Sequence, residues 1–292
     1  MSLYNILITG ANGQVGLATL NHLRRSPGFN PIPSHHADLN INDPAGVDLY
    51  LQKNNVQALV NCAAYTAVDL AEADALPCWE VNASGCRTLA IACKKHHIPL
   101  IHFSTDYVYH NKLRDPLKET DSCTPKNVYG ASKLAGEHKA LMHNPKTIIL
   151  RTSWVYSATG KNFLRTITSL AKSKTDLPIV NDQIGAPTWA EDLGKIVSAI
   201  LIQVLADPGH TGWYGTYNCS NRGAISWFEF ARYFIDRLGI PCQLHPVSSA
   251  EFIRPAERPP YSVLDLAKLR NTFGIEPREW NKALDECLSS MI

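Results

Sequence analysis

The 292-residue sequence has little charge and no long apolar run, and each shortage excludes a class of protein. Charged residues make up 18% of the chain and the net charge is +2, so no polyanion-binding surface is indicated and nucleic-acid binding is not expected. The apolar stretch IVSAILIQVLA at 196–206 is shorter than the roughly 18 residues of a membrane span, so no membrane partner is expected. The opening LYNILIT follows no basic segment, so no secretory signal is predicted.

The sequence also lacks any close pair of cysteines. Eight cysteines stand at irregular spacings with no CxxC motif, so neither a metal site nor a redox motif is predicted. Cys86 and Cys93 lie a heptad apart in a predicted helix, which indicates a shared, buried face. We therefore expect free thiols in a reducing compartment, and a cytoplasmic protein.

What the first half does contain is an alternation of short apolar runs and longer helical patterns. It predicts strands at 5–9, 58–64, 99–105 and 147–152, a weak strand near PIPS (31–34), and helices at 15–26, 44–54 and 77–97. The continuous apolar run ALVNCAA is typical of a strand that is covered on both faces. The order of elements predicts an α/β fold with a doubly wound parallel sheet of the Rossmann type.

After residue 155 the pattern changes to longer loops and separate helices. Helices are predicted near 226–238, 248–253, 265–272 and 280–290. We expect a dinucleotide-binding domain at 1–155, completed by 187–221. Residues 156–292 are then mainly a smaller, mostly helical substrate-binding domain that is interleaved with the first.

A glycine-rich turn lies between the first strand and the first helix. In ITGANGQVG, Gly10, Gly13 and Gly16 follow the strand and open the helix, with the spacing GxxGxxG rather than GxGxxG. Glycine permits a tight turn whose backbone N–H groups approach a diphosphate at the helix N-terminus. This context favours dinucleotide binding over a merely structural turn.

The segment after the second strand bears on the choice of cofactor. A carboxylate there holds the adenosine ribose hydroxyls and favours NAD. Here the segment reads PSHHADL, and Ser34, His35 and His36 carry no negative charge. This favours NADPH, with NADH as the alternative. Asp38 comes later and is expected near the adenine.

A tyrosine and a lysine four residues apart, Tyr129 and Lys133, share one face of a predicted helix in NVYGASK. The pair alone fits a packed helix. Thr105, however, ends the strand PLIHFST, and chemistry in such folds occurs beyond the carboxyl ends of the strands. Tyrosine is a poor acid at its usual pKa of about 10, and a lysine cation beside it lowers that pKa. The three residues together predict proton transfer to a ketone reduced by hydride.

The motifs TGANGQVG, STDYVY and YGASK resemble the extended short-chain dehydrogenase/reductase superfamily. With NCAAYTAVDLAE, RTSWVY, GKNF, VNDQIGAPT and RPPYSVLD, the sequence resembles the dTDP-4-dehydrorhamnose reductase family from about residue 5 to the C-terminus. That resemblance implies NAD(P)H-dependent reduction of the 4-keto group of a dTDP-4-keto-6-deoxy sugar to dTDP-L-rhamnose. The implied partner is a nucleotide sugar, and the protein a monomer or homodimer.

The resemblance also implies roles for individual residues. Tyr129 is the proton donor, Lys133 anchors the nicotinamide ribose, and Thr105 supplies the catalytic hydroxyl. The implied substrate contacts are Thr105, Asp106 and Trp154, the last with core packing as the alternative. The implied cofactor contacts are Gly10, Gly13, Gln14, Val15, Gly16, Asp38, Leu39, Ala63, Ala64, Tyr65, Tyr129 and Lys133. Gln183, Thr188 and Arg258 lie in family motifs and are expected to border the nucleotide, with a salt bridge as the alternative for Arg258.

The sequence departs from the family pattern at two places. Some family members are dimers bridged by magnesium through glutamates, one of them in the first helix, where this chain has Leu17, Ala18 and Thr19. Although Glu191 remains, this argues against a magnesium-bridged dimer. Tyr109 replaces the family's phenylalanine, and with the following HNKLRDP it is expected to edge the substrate cleft and influence the preferred sugar.

Two other functions stay open. A non-catalytic, nucleotide-binding regulatory subunit would keep the fold without the catalytic groups, whereas Thr105, Tyr129 and Lys133 are all present. A sugar-nucleotide epimerase retains NAD and would benefit from an acid after the second strand, which this chain lacks.

Overall fold

The secondary structure alternates as predicted over the first half of the chain. The structure, a computed structural model, describes residues 3–110 and 114–291, so residues 111–113 of the segment HNKLRDP lie outside it. The strands are β1 (Tyr4–Thr9), β2 (Phe29–Ser34), β3 (Ala58–Asn61), β4 (Leu100–Thr105), β5 (Thr147–Thr152), β6 (Val155–Tyr156), β7 (Asp176–Val180), β8 (Ile184–Gly185), β9 (Thr188–Trp189), β10 (Gly215–Asn218), β11 (Ile225–Ser226) and β12 (Gln243–Val247). The helices are α1 (Gln14–Arg25), α2 (Pro44–Lys53), α3 (Val68–Ala73), α4 (Ala75–Trp79), α5 (Cys86–Lys95), α6 (Val128–His143), α7 (Phe163–Ala171), α8 (Ala190–Ala206), α9 (Trp227–Arg237), α10 (Ala267–Phe273) and α11 (Trp280–Ser289).

The main sheet has six strands in the order β10-β5-β4-β3-β1-β2. Every neighbouring pair is parallel. The strand order reverses between β1 and β3, which is the point where open α/β sheets bind their ligands, beyond the carboxyl ends of the strands. The prediction of a doubly wound parallel sheet is confirmed.

The weak strand near PIPS is β2, at one edge of this sheet. It pairs only with β1, so the two prolines that lack N–H donors, Pro31 and Pro33, remove no hydrogen bonds to a second neighbour. The edge position therefore explains how so poor a strand-forming sequence is still a strand.

Helices cover both faces of the sheet. On one face α1 packs closely on α8. Glycine at position 194 permits this approach, since a Cβ there would lie 2.7 Å from the Ala18 backbone. On the other face α2 and α5 bury Val47, Leu51 and Leu89. Cys86 and Cys93 are fully buried there, as the heptad spacing predicted, and all eight cysteines are free thiols.

The helix predicted at 77–97 is continuous but changes its winding. α4 passes through a π-helical turn, Glu80–Gly85, into α5. The side chain of Asn82 in this turn accepts a hydrogen bond from the Tyr65 N–H (2.9 Å) and donates one to the Tyr65 carbonyl (3.1 Å). The turn thus fixes the loop that follows β3.

The rest of the chain packs around α7, α9 and α11, with an aromatic core that includes Tyr156, Phe230 and Phe234. Two-stranded sheets accompany these helices, and the parallel pair of β7 with β12 was not predicted. The division into two domains stays a prediction. It is supported by β10, which extends the main sheet beside β5, and by α8, which packs on α1.

One predicted helix is wrong. Residues 248–253 form a turn in which the Glu251 carboxylate accepts hydrogen bonds from the Ser248 N–H (2.8 Å) and hydroxyl (2.6 Å). These local bonds satisfy backbone groups that a helix would otherwise use, and Pro255 follows closely. Among the helices of residues 3–110 and 114–291, none is long and apolar enough to cross a membrane.

Candidate active site

The glycine turn connects β1 to α1 through close backbone contacts. Gly10 has a φ of +65°, and a Cβ on it would lie 2.7 Å from the Ala63 backbone. A Cβ on Gly16 would lie 2.2 Å from the Gly10 carbonyl oxygen. Gly13 precedes α1 with no side chain to cap the helix, so the backbone N–H groups of its first turn remain for an anionic ligand.

Beside this turn lies a cavity of about 300 Å³ at the carboxyl ends of β1, β2 and β3. Five predicted cofactor contacts line it: Gly10, Gly13, Leu39, Ala63 and Ala64. Ser34, His35 and His36 also line it, and none of its described lining residues is acidic. The backbone cradle and the uncharged wall fit a dinucleotide with a phosphorylated ribose.

Other predicted cofactor contacts are engaged elsewhere. Gln14 accepts hydrogen bonds from Ser157 (2.9 Å) and Asn162 (2.8 Å), which secures the segment before α7. The Asp38 carboxylate accepts a hydrogen bond from the His35 N–H at 3.0 Å and does not line the cavity. Val15 packs against the core and Tyr65 is held by Asn82.

Tyr129 lies in the first turn of α6, next to the end of β4. The Asn127 side chain caps the helix by accepting a hydrogen bond from the Gly130 N–H at 2.7 Å. A Cβ at Gly130 would lie 2.3 Å from the Tyr107 carbonyl oxygen, so glycine permits the helix to approach the turn after β4. The rings of Tyr107 and Tyr129 meet edge to face, with centroids 5.6 Å apart.

The predicted catalytic groups are brought together, but their electrostatics differ from the expectation. Burial raises the pKa of Tyr129 above its usual value, and the neighbouring Thr105 hydroxyl partly offsets this. Lys133 Nζ donates a hydrogen bond to the Phe103 carbonyl at 2.5 Å and lies 3.3 Å from His102 Nε2. Burial lowers the pKa of Lys133 to about 8. In this structure Lys133 Nζ is thus directed at β4, and burial governs the pKa of the Tyr129 phenol.

A chain of buried polar groups joins the glycine turn to Lys133. The Asn61 side-chain oxygen accepts hydrogen bonds from the Thr9 hydroxyl (2.7 Å) and the Ala63 N–H (3.1 Å). Its amide nitrogen lies 2.9 Å from His102 Nδ1, and Nε2 of that ring faces Lys133. The two halves of the site therefore belong to one connected network.

Asp106 follows Thr105 and is 2% exposed. Its Oδ1 accepts a hydrogen bond from the Thr105 hydroxyl at 3.0 Å. Within the described residues its buried Oδ2 makes no hydrogen bond of good geometry. Burial raises the pKa of this carboxyl to about 6, and the nearby Ser262 and Thr105 hydroxyls offset this only in part. A buried acceptor without a partner fits a ligand that brings hydrogen-bond donors.

Trp154, a predicted substrate contact, follows β5 with a φ of +49°. Its indole stacks on Trp227 at the start of α9, with ring centroids 3.5 Å apart and planes 6° from parallel. Gly185 accommodates the indole, because a Cβ there would lie 2.4 Å from it.

A second cavity, of about 460 Å³, lies between Tyr107, Trp227 and the β7 region. Gln183 and Arg258, both predicted near the nucleotide, line it together with Arg254. Arg258 also donates to both carboxylate oxygens of Asp69, at 3.1 and 2.8 Å. The salt bridge that was the alternative to a nucleotide contact is therefore present. Thr188 is fully buried and donates to the Ala186 carbonyl at 3.3 Å, away from this cavity.

The two departures from the family pattern have structural consequences. Glu191 lies 3.0 Å from His22 Nε2 on α1. Tyr109 is 1% exposed, so its own side chain lies in the core; that the following loop edges the cleft stays a prediction, because residues 111–113 lie outside the described residues. Its hydroxyl donates to Asn218 Oδ1 (3.1 Å) and accepts from Arg151 Nη1 (2.7 Å) in the core.

Several residues of the site were not predicted. Asn61 and His102 stand inside the apolar runs ALVN and LIHF, and a polar residue within a buried strand is a signal that points to such a network. Trp227 and Asn82 gave no such signal, because their roles depend on contacts with residues far away in the sequence.

The parallel sheet, the glycine turn at its switch point and the cluster beyond β4 define a dinucleotide-binding α/β protein of the doubly wound class. Residues 4–292 match the RmlD substrate binding domain family, and the chain belongs to that family. The resemblance to dTDP-4-dehydrorhamnose reductases that the motifs indicated is confirmed.

Individual relatives agree with this assignment. A dTDP-4-dehydrorhamnose reductase of Aggregatibacter actinomycetemcomitans is 35% identical, over 96% of each chain. A Streptomyces antibioticus protein named a probable dTDP-4,6-dihydroxy-2-methyloxan-3-one 4-ketoreductase is 35% identical, over 98% of this chain and 95% of its own. The Bacillus anthracis dTDP-4-dehydrorhamnose reductase, solved in complex with NADP, superposes with a TM-score of 0.92 at 34% identity, covering 99% of each chain.

Proposed function

We propose that this protein reduces the 4-keto group of dTDP-4-dehydrorhamnose, a dTDP-4-keto-6-deoxy sugar, to dTDP-L-rhamnose. The observation that carries the proposal is the meeting of Thr105, Tyr129 and Lys133 beyond β4, connected through His102 and Asn61 to the glycine turn. The names of full-length relatives at about 35% identity support the same substrate class.

The cofactor we propose is NADPH, with NADH as the weaker alternative. Ser34, His35 and His36 leave room and no negative charge where a 2′-phosphate would lie, and a relative is solved with NADP. Gly10, Gly13 and the first turn of α1 would hold the diphosphate, and Ala63 and Ala64 would border the nicotinamide half. Bound NADPH supplies a hydride to the carbonyl carbon.

The side chains beyond β4 complete the reaction. Tyr129 donates its phenolic proton to the carbonyl oxygen, and the Thr105 hydroxyl holds that oxygen. The free Oδ2 of Asp106 accepts a hydrogen bond from a sugar hydroxyl. Lys133, one helical turn from Tyr129, anchors the nicotinamide ribose. The cavity lined by Trp227, Gln183 and Arg258 receives the nucleotide.

The direct test is incubation of the protein with dTDP-4-keto-6-deoxy sugar and each reduced cofactor, followed by NMR of the product. We expect oxidation of NADPH in proportion to formation of dTDP-L-rhamnose. A regulatory subunit would bind NADPH without turnover. An epimerase would interconvert stereoisomers without net cofactor oxidation. A product of other stereochemistry would support reduction of a 4-keto sugar but contradict dTDP-L-rhamnose as the product.

We also propose a cytoplasmic location, a monomer or homodimer, and turnover without magnesium. The free thiols support the cytoplasmic location, and the pairing of Glu191 with His22 supports turnover without magnesium. Addition of EDTA is expected to leave the rate and the mass in solution unchanged. A loss of either on chelation, restored by magnesium, would contradict the proposal.

A further inference from the structure

His102 is a buried histidine, 1% exposed, that touches Lys133 and has no role in the mechanism above. It lies on β4 between two polar neighbours, Asn61 Nδ2 at 2.9 Å from Nδ1 and Lys133 Nζ at 3.3 Å from Nε2. The proton positions on this ring follow from the donors and acceptors around it, because each neighbouring group can donate or accept only a fixed number of hydrogen bonds.

The orientation of the Asn61 amide is fixed by a backbone group. The Ala63 N–H is always a donor, and it lies 3.1 Å from Asn61 Oδ1. Oδ1 therefore faces Ala63 and the Thr9 hydroxyl, and the NH₂ group faces His102. Since an NH₂ group only donates, His102 Nδ1 must accept and carries no proton.

A neutral imidazole with an unprotonated Nδ1 carries its proton on Nε2, which faces Lys133. An ammonium has no lone pair to accept this N–H, so a charged Lys133 and the His102 N–H oppose each other. A neutral amine accepts it through its lone pair while donating to the Phe103 carbonyl at 2.5 Å. The hydrogen-bond directions therefore favour the neutral form of Lys133.

The groups around Lys133 raise its pKa, but they offset this effect only in part, because burial still lowers that pKa to about 8. The other titratable groups that act on it are three thiols and one carboxylate: Cys62, Cys78, Cys86 and Glu137. Burial raises the pKa of Cys62 and of Cys86 to about 12, which keeps both thiols neutral. Glu137 is engaged by Arg151 through a 2.6 Å ion pair. On its own helix the lysine has Tyr129 one turn away, whose pKa is raised by burial.

We propose that His102 is a positioning residue that controls the proton content of Lys133, by presenting Nε2–H to its Nζ. Lys133 then exchanges its proton close to neutral pH and not near the usual value for lysine. The lowered pKa of Lys133 and the depressed pKa of buried His102 agree with this arrangement. The consequence for turnover rests on the proposed function, whereas the proton equilibrium itself does not.

Two NMR measurements on the full chain, without substrate, test the proposal. In ¹⁵N-histidine-labelled protein, with His102 assigned by its absence from His102→Gln, we expect the Nε2–H tautomer, unchanged between pH 6 and 9. In ¹³Cε-lysine-labelled protein, with Lys133 assigned by Lys133→Met, we expect a titration midpoint far below the usual lysine value. An Nδ1–H tautomer, or an ordinary lysine midpoint, would overturn the proposal.

The variants separate this role from a merely structural one. His102→Gln offers an oxygen that accepts from the ammonium, so the Lys133 midpoint should rise by at least one pH unit, a tenfold change in proton affinity. His102→Asn, which also removes Nε2–H, should raise it too and serves if the glutamine variant folds poorly. The control is His138→Gln, at an exposed position of α6, the helix that carries Lys133. It should leave the Lys133 midpoint unchanged. An unchanged midpoint in both His102 variants would refute the proposal, even if the protein proved inactive toward the dTDP sugar.

Discussion

Trp154 and Trp227 stack face to face, with ring centroids 3.5 Å apart, although 73 positions separate them in the sequence. Trp154 follows β5 of the main sheet, and Trp227 begins α9 beside the 460 Å³ cavity. The stack therefore joins the sheet that positions the proposed chemistry to the helices around the proposed nucleotide cavity. The residue predicted to contact substrate acts here, at least in part, by orienting a second tryptophan.

Gly185→Ala tests this relationship. A Cβ at Gly185 would lie 2.4 Å from the Trp154 indole, so the ring must move away from Trp227. We expect a loss of about 1–3 kcal/mol in the free energy of unfolding, as for other overpacked sites, and a higher KM for the nucleotide sugar. Urea denaturation and steady-state kinetics measure both.

The matched control for that variant is Gly209→Ala. A Cβ there would meet only Asp207 Oδ1 at 3.8 Å, an ordinary contact. It should leave stability and KM close to those of the parent. Equal effects of the two alanines would show that the contact with Trp154 is not the cause.

Asp106→Asn should raise stability while lowering activity. Burial raises the pKa of Asp106 to about 6 in the folded state, above the ordinary value of about 3.9. Between these values the folded state binds more protons than the unfolded state, so this carboxyl makes the protein less stable as pH rises from about 4 to 6. The gain in Tm from asparagine should therefore be full above pH 6 and vanish below pH 4, and kcat/KM should fall at every pH. A variant less stable at pH 7.5 would contradict this account.

The cofactor preference should respond to a single charge. His35→Asp places a carboxylate on the cavity beside the glycine turn, where it repels a 2′-phosphate and accepts from a ribose hydroxyl. We expect the ratio of kcat/KM for NADPH to that for NADH to fall at least about tenfold, which corresponds to about 1.4 kcal/mol. His245→Asp makes the same change at an exposed position of β12 and should leave the ratio unaltered. A ratio that moves equally in both would point to net charge and not to this site.

Tyr109→Phe, which restores the residue that the family commonly has, should affect stability and not sugar preference. The hydroxyl accepts from Arg151 at 2.7 Å and donates to Asn218 in a region closed to solvent. Its removal leaves buried partners unsatisfied, and we expect a loss of about 1–3 kcal/mol. Urea denaturation measures this, and relative kcat/KM for two dTDP-4-keto sugars measures the preference. A changed preference with unchanged stability would sink this interpretation.

The main sheet could be predicted from the sequence because its strands are apolar runs bounded by helices with a clear period. The run TIILRT is β5 at the residues predicted, and LIHFST is β4 with its polar end at Thr105. Local pattern sufficed there, since the hydrophobic faces and the glycine turn lie within short segments. The alternation of strands and helices also predicted that Thr105 ends β4 and that Tyr129 lies in the helix that follows.

What could not be predicted depends on distant pairing. β12 reads QLHPV, with exposed residues and a proline, and it is a strand because β7 lies beside it. Trp227 became part of the site through its stack with Trp154. The direction of Lys133 toward Phe103 and His102 depends on how α6 lies over β4, which no spacing of four residues reveals.

In the proposed reaction, Tyr129 donates the proton in reduction of a dTDP-4-keto-6-deoxy sugar. Tyr129→Phe removes that proton and little else, and Tyr50→Phe on α2 is the matched control, since it removes a phenolic hydroxyl that lines neither of the two cavities. The decisive measurement is NADPH oxidation with this sugar, alongside NADPH binding by fluorescence. We expect Tyr129→Phe to lose at least about 100-fold in kcat, as for the loss of a general acid, while NADPH still binds and Tyr50→Phe keeps full activity. Full turnover by Tyr129→Phe would contradict it.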